Sequence, residues 1–197
     1  MRGDKMLKTT VCGVEICFSV GFPAVVALLC FFDKTGSAAL CLYAALFHES
    51  AHIAATGALG FRPRTLTFGA FGMRMELPPL SYKATALVAL AGPCCNLACA
   101  GISALCGAEK SVLVNAALGG FNLLPLSPLD GGQALFSLLA PRFGEERAAR
   151  VVNVTGAAAG MPLFAAAWWT FFKTGYNVSL LVLCVYLLFL VFFKKKD

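Results

Sequence analysis

The chain has 197 residues, of which 59% are apolar and 13% charged, with a net charge of +6. A typical soluble domain holds roughly 45–50% apolar and about 25% charged residues, and one this small cannot hide so much apolar surface. Composition therefore excludes a disordered chain, a nucleic-acid-binding module and an ordinary cytosolic enzyme, and implies a multi-pass integral membrane protein.

A helix that crosses a bilayer needs about 20 mainly apolar residues. Six candidate spans follow in chain order, at residues 14–32, 38–59, 84–106, 112–125, 151–172 and 178–193. The expected fold is all-α and polytopic, with six transmembrane helices. The fourth span is short and interrupted by Gly119, Gly120 and Pro125. Breakers at membrane depth are tolerated only where protein or a cavity satisfies the freed backbone, so an interrupted segment marks a candidate site. Between spans two and three, residues 64–77 alternate on either side of a Gly-Ala-Phe-Gly turn, which reads as a β-hairpin. Its edge could hold an extended peptide, while Arg62, Arg64 and Arg74 suit a lipid surface. Residues 133–140 read as a short helix ended by Pro141, and Trp168 and Trp169 as interfacial anchors.

The basic residues test this layout. With a cytoplasmic N-terminus, thirteen of the sixteen Lys and Arg fall on the cytoplasmic side and none inside a span. That asymmetry is what the positive-inside rule requires. Both termini are then cytoplasmic, and the charge is explained by topology and anionic lipid rather than by nucleic acid. The nine cysteines have no zinc-ribbon spacing and read as small buried hydrophobes of a reducing-side protein.

Ionisable residues at membrane depth are functional candidates by default. Three acids lie there, Glu15, Glu49 and Asp130, together with the only two histidines, His48 and His52. His48-Glu49-Ser50-Ala51-His52 is an HExxH on a helix. Residues four apart differ by about 40° of rotation and one turn of rise, so both imidazoles face one point, suited to a tetrahedral zinc ion. Zinc lowers the pKa of coordinated water toward 7, and Glu49 flanks the pair as its proton acceptor. A catalytic zinc needs a third protein ligand. No third histidine exists, and the acids at the right depth are Glu15, near the cytoplasmic start of span one, and Asp130. Asp130 follows the interrupted span in Asn122-Leu123-Leu124-Pro125-Leu126-Ser127-Pro128-Leu129-Asp130-Gly131-Gly132 and reaches the histidines if that segment packs inside the protein. A metal-ion transporter and a non-catalytic membrane scaffold are the rival readings. A transporter would spread its ligands along a path, and a scaffold would commonly lose Glu49.

Three blocks resemble the site-2 proteases, the intramembrane zinc metalloproteases: the HESAH of His48–His52, Ala91-Gly92-Pro93-Cys94-Cys95-Asn96, and the NxxPxxPLDGG of 122–132. The resemblance covers about residues 38–140, and the small six-span layout is similar to the stage IV sporulation protein FB branch. It implies His48, His52 and Asp130 as ligands of one zinc ion and Glu49 as catalytic base. It also implies that Asn122 contacts substrate or the developing oxyanion, with Asn96 either doing the same or bridging helices. A single protease domain over 1–197 is expected, without PDZ or CBS modules. The expected setting is the bacterial cytoplasmic membrane. The implied partners are a transmembrane protein substrate, membrane lipid and a membrane regulatory protein, with regulated intramembrane proteolysis as the activity.

Overall fold

The computed structural model of the chain describes residues 6–174 apart from 12, 34–35 and 70–71. The span expected at 178–193 lies outside the described residues. Two strands come first, β1 (Met6–Val11) and β2 (Val14–Ser19). They pair antiparallel, from Met6 opposite Ser19 to Val11 opposite Val14. Helix α1 (Gly21–Phe32) follows at once.

This corrects the first expected span. Only 12 of its residues are helical, about 18 Å at 1.5 Å per residue, against a hydrocarbon core of about 30 Å. A short apolar run does not by itself separate strand from helix, and β2 runs into α1 with only Val20 between them. Glu15 therefore sits on a strand rather than in a membrane helix. Its carboxylate accepts a hydrogen bond from Lys8 Nζ at 2.9 Å across the β1–β2 pair and raises the Lys8 ammonium above the ordinary lysine value.

Helix α2 (Ser37–Ala58) begins where the Asp33 carboxylate accepts from the Ser37 and Ala38 amides, at 3.1 and 2.8 Å. Those amides have no partner within the helix, and an anion there suits the helix dipole. The expected hairpin forms as β3 (Thr65–Gly69) and β4 (Gly72–Glu76), paired antiparallel. It is not isolated. β3 also pairs parallel with β2, which gives a sheet ordered β1-β2-β3-β4 with one edge of β4 open among the described strands. The Phe18 and Phe68 rings stack at 5.1 Å and Phe22 closes on both, tying the sheet to α1. The fold is thus mostly helical with a four-stranded sheet, not all-α.

Helix α3 (Tyr82–Leu105) is capped by Ser81, whose hydroxyl accepts from the Ala84 amide. It is the hub of the molecule and packs on α2, α4 (Glu109–Asn122) and α5 (Asp130–Phe143). Helix α6 (Glu145–Thr174) packs on α5. Among the described helices, α2 and α3 are long and apolar enough to cross a membrane. Gly119 and Gly120 do not interrupt α4, which runs through both. A β-carbon at Gly119 would lie 3.0 Å from the Pro93 carbonyl oxygen and 3.1 Å from Asn96 Cβ, so this glycine lets α4 lie close against α3. The interruption falls at 123–129, between α4 and α5. Pro141 lies inside the last turn of α5 and does not end it early. The expectation of buried cysteines is corrected: of the described ones only Cys17 is buried, while Cys30, Cys41 and Cys94 lie on exposed faces of apolar helices and Cys106 is exposed just past the end of α3.

Candidate metal centre

Three elements bring the site together. α2 supplies His48, Glu49 and His52, and α5 supplies Asp130 in its first turn. α3 lies behind the imidazoles. The close packing behind Asp130 depends on the two glycines after it. A β-carbon at Gly131 would lie 2.2 Å from the Leu123 carbonyl oxygen, and one at Gly132 would lie 2.1 Å from that of Leu126. Without side chains there, the 123–129 segment folds flat against the start of α5, with Leu126 fully buried beneath it. Asp130 is held at the depth of the histidines as a result.

His48 Nε2 and His52 Nε2 are 3.2 Å apart, and Asp130 Oδ2 lies 2.9 Å from the first and 3.3 Å from the second. Zinc bonds to nitrogen and oxygen of about 2.0–2.1 Å in a tetrahedron keep ligands roughly 3.3 Å apart. The three atoms therefore have the spacing of three vertices around one ion, and they form the one such His/Cys/Asp/Glu group among the described residues.

The other imidazole nitrogens fix the tautomers. His52 Nδ1 is 2.7 Å from the Val88 carbonyl oxygen, which can only accept, so Nδ1 carries the proton and the neutral ring offers Nε2 as a lone pair. His48 Nδ1 is 2.6 Å from Asn96 Oδ1. The Asn96 amide cannot be reversed, because its nitrogen donates to the Ala44 carbonyl oxygen and to Asn115 Oδ1, both at 3.0 Å. His48 Nδ1 therefore donates as well. Such partners orient metal-binding histidines and raise their basicity.

Asn96 is 0% exposed, and all its polar valences go to α2, α4 and His48. It bridges helices behind the site and does not line the cavity. Asn122 does line the site cavity, and its nitrogen donates to the Leu118 carbonyl oxygen. Glu15, the other acid weighed as a ligand, is on the sheet and takes no part in the cluster.

The cavity measures about 390 Å³. His48, Glu49, His52 and Asp130 face it from the helices, and β4 faces it from the sheet. The Met73 amide donates to Glu49 Oε1 at 3.2 Å, which anchors the carboxylate next to the two histidines.

Gly92 and Asn115 were not read from the sequence as site residues. A β-carbon at Gly92 would lie 2.4 Å from His52 Nε2 and 2.7 Å from His48 Nε2, so only glycine lets both rings lie against α3. Asn115 continues the hydrogen bonds behind His48 to Ser111 and, through it, to Ser103. Gly92 had a signal, since it stands in the second matching block. Asn115 had none beyond being a polar residue in an apolar span.

The model of peptidase family M50 matches residues 109–163. Rip3 of Mycobacterium tuberculosis, whose name describes it as a zinc metalloprotease, is 33% identical over 174 residues in both strains Erdman and H37Rv. The match takes in 74% of this chain and 43% of that protein, so the chain spans less than half the length of these relatives. By these matches the chain is related to peptidase family M50 and to Rip3 over the residues they cover. Its fold is similar to that of the site-2 protease from Methanocaldococcus jannaschii, with a TM-score of 0.69 at 15% identity over 98% of this chain and 96% of that one. The His48–His52–Asp130 cluster has the donor set and spacing of a zinc site of such a metalloprotease.

Proposed function

We propose that the chain is an intramembrane zinc metalloprotease that hydrolyses a peptide bond in or near a transmembrane segment of a membrane-protein substrate. The observation that carries this reading is the convergence of His48 Nε2, His52 Nε2 and Asp130 Oδ2 beside the Glu49 carboxylate in one cavity. Zinc bound by His48, His52 and Asp130 would activate water and polarise the substrate carbonyl. Glu49 takes the proton from the attacking water as the carbonyl carbon is hydrated, and passes it to the leaving amine as the C–N bond breaks. Asn122, on the cavity wall, would donate its second amide hydrogen to the oxygen that gains charge. Asn96 acts through His48 and is a positioning residue.

The substrate binds extended. The open edge of β4 faces the cavity and offers backbone groups for an added strand. A transmembrane segment unwinds locally to take that form, and the regulated release of a cytoplasmic fragment follows from a cut near the cytoplasmic side. The setting we propose is a bacterial cytoplasmic membrane, with lipid and a membrane regulatory protein as further partners. Zinc analysis of Asp130→Ala tests the ligand set. The purified variant is expected to lose bound zinc, and retention of one zinc per chain would remove Asp130 from the site.

A further inference from the structure

Among the described residues Arg74 is the one Lys or Arg that lines the cavity, on the strand whose edge faces Glu49. It is exposed, and no described acid lies within ion-pair distance of its guanidinium. Glu76, two residues along β4, does not line the cavity. Burial alternates along β4: Gly72, Arg74 and Glu76 are exposed, Met73 and Met75 half-buried. A β-carbon at Gly72 would stand 3.5 Å from Glu49 Oε1. This face of β4 thus lies within contact distance of the carboxylate, and Arg74 is the next side chain on the same face.

A strand added along this edge meets two chemistries. Side chains on one of its faces meet Met73 and Met75, and those on the other meet Gly72 and then Arg74. Directly opposed residues bring their β-carbons to about 4.5–5.5 Å, and opposite charges there attract. With a divalent ion bound, the Glu49 and Asp130 carboxylates are offset, and the guanidinium leaves the cavity one unit positive. That balance selects an acid from the substrate, not a base.

We propose that Arg74 is a specificity-determining residue that receives an Asp or Glu side chain of the extended substrate, close to the bond that is cut. Arg74 follows directly on Met73, whose amide holds Glu49. With about 3.3 Å per residue along a strand, the acidic position falls within about three residues of the cut. The proposal rests on the protease reading above and adds the chemistry of one subsite to it.

The test uses the zinc-loaded full chain in detergent and synthetic apolar peptides in which a single Asp, Lys or Ala is walked through every position. Wild type, Arg74→Gln and Arg74→Glu are compared, with Glu49→Gln as the blank. At one position, Asp is expected to raise kcat/KM over Ala by roughly three- to fivefold, chiefly through KM, the scale of a partly exposed ion pair. Arg74→Gln levels that preference and Arg74→Glu turns it toward Lys. An Asp preference at no position, or one that Arg74→Glu leaves unchanged, overturns the proposal while the protease reading stands. So does a phosphatidylglycerol requirement that Arg74→Glu abolishes without any Asp preference, which would assign the guanidinium to a lipid headgroup. If no peptide is cut, or if cutting persists in Glu49→Gln, the protease reading falls and the proposal falls with it.

Discussion

His48 and His52 were legible from spacing alone, because four residues on a helix bring two side chains to one face whatever surrounds them. Asp130 was legible only as one of two acids at the right depth until the resemblance was added. The separation needed to choose it depends on how 123–129 folds, and periodicity does not describe that segment. Gly92 was less visible still, since its importance lies in the distance between two helices. Gly92→Ala places a methyl group 2.4 Å from His52 Nε2, and something must shift. The expected result is loss of stoichiometric zinc in a folded protein, read by metal analysis alongside the helical circular dichroism. Full zinc content would mean that the imidazoles lie elsewhere. Asn96 makes a graded prediction. Asn96→Leu removes the acceptor that fixes His48, and zinc affinity should fall by about 10- to 100-fold, as is typical when such a partner is lost. Competition with a chelator measures it, and an unchanged affinity would reduce Asn96 to a helix bridge.

The elements tell a similar story about what a single sequence carries. The β3–β4 hairpin was readable because alternation flanks a Gly-containing turn on both sides. β1 and β2 were not, because strand β2 and helix α1 make one mainly apolar run with Glu15 near its start, and apolar length is also the signature of a span. The parallel pairing of β2 with β3 joins residues about 50 positions apart, which no local pattern announces. The open edge of β4 has a direct test in Met73→Pro. Proline removes the amide that Glu49 accepts from, yet it is tolerated on an edge strand whose N–H points away from the sheet. The variant should keep its zinc and lose about tenfold or more of its cleavage rate, the scale of a hydrogen bond to a charged group. Cleavage at the wild-type rate would show that neither Glu49 nor substrate depends on that amide.

At the scale of the whole molecule, the first stage of inference was subtraction. A chain that is 59% apolar and 13% charged leaves few ionisable residues unexplained once topology accounts for the sixteen basic ones. The same count assumes that residues 14–32 cross the membrane, which α1, about 18 Å long, does not do by its own length. Reporter domains fused to the two ends test it: with that segment across the membrane, alkaline phosphatase should be inactive and green fluorescent protein fluorescent at both ends, and an active phosphatase at one end would show an odd number of spans. α2, α3 and α5 carry the chemistry, α4 braces α3, and the sheet faces the resulting cavity from one side. The order of the blocks was legible in the sequence because the matching motifs occur in chain order. The sheet as a wall of the site was not.

The central claim is that one cluster on α2 and α5 binds zinc and that Glu49 beside it moves the proton. Purified wild type and Glu49→Gln, each assayed for bound zinc and for cleavage of a single-span substrate co-reconstituted in liposomes, test it most directly. Both should carry one zinc per chain, and the variant should cut at least about a hundredfold more slowly, the lower end of what a general base contributes. Equal cleavage by the two zinc-loaded proteins would contradict the account.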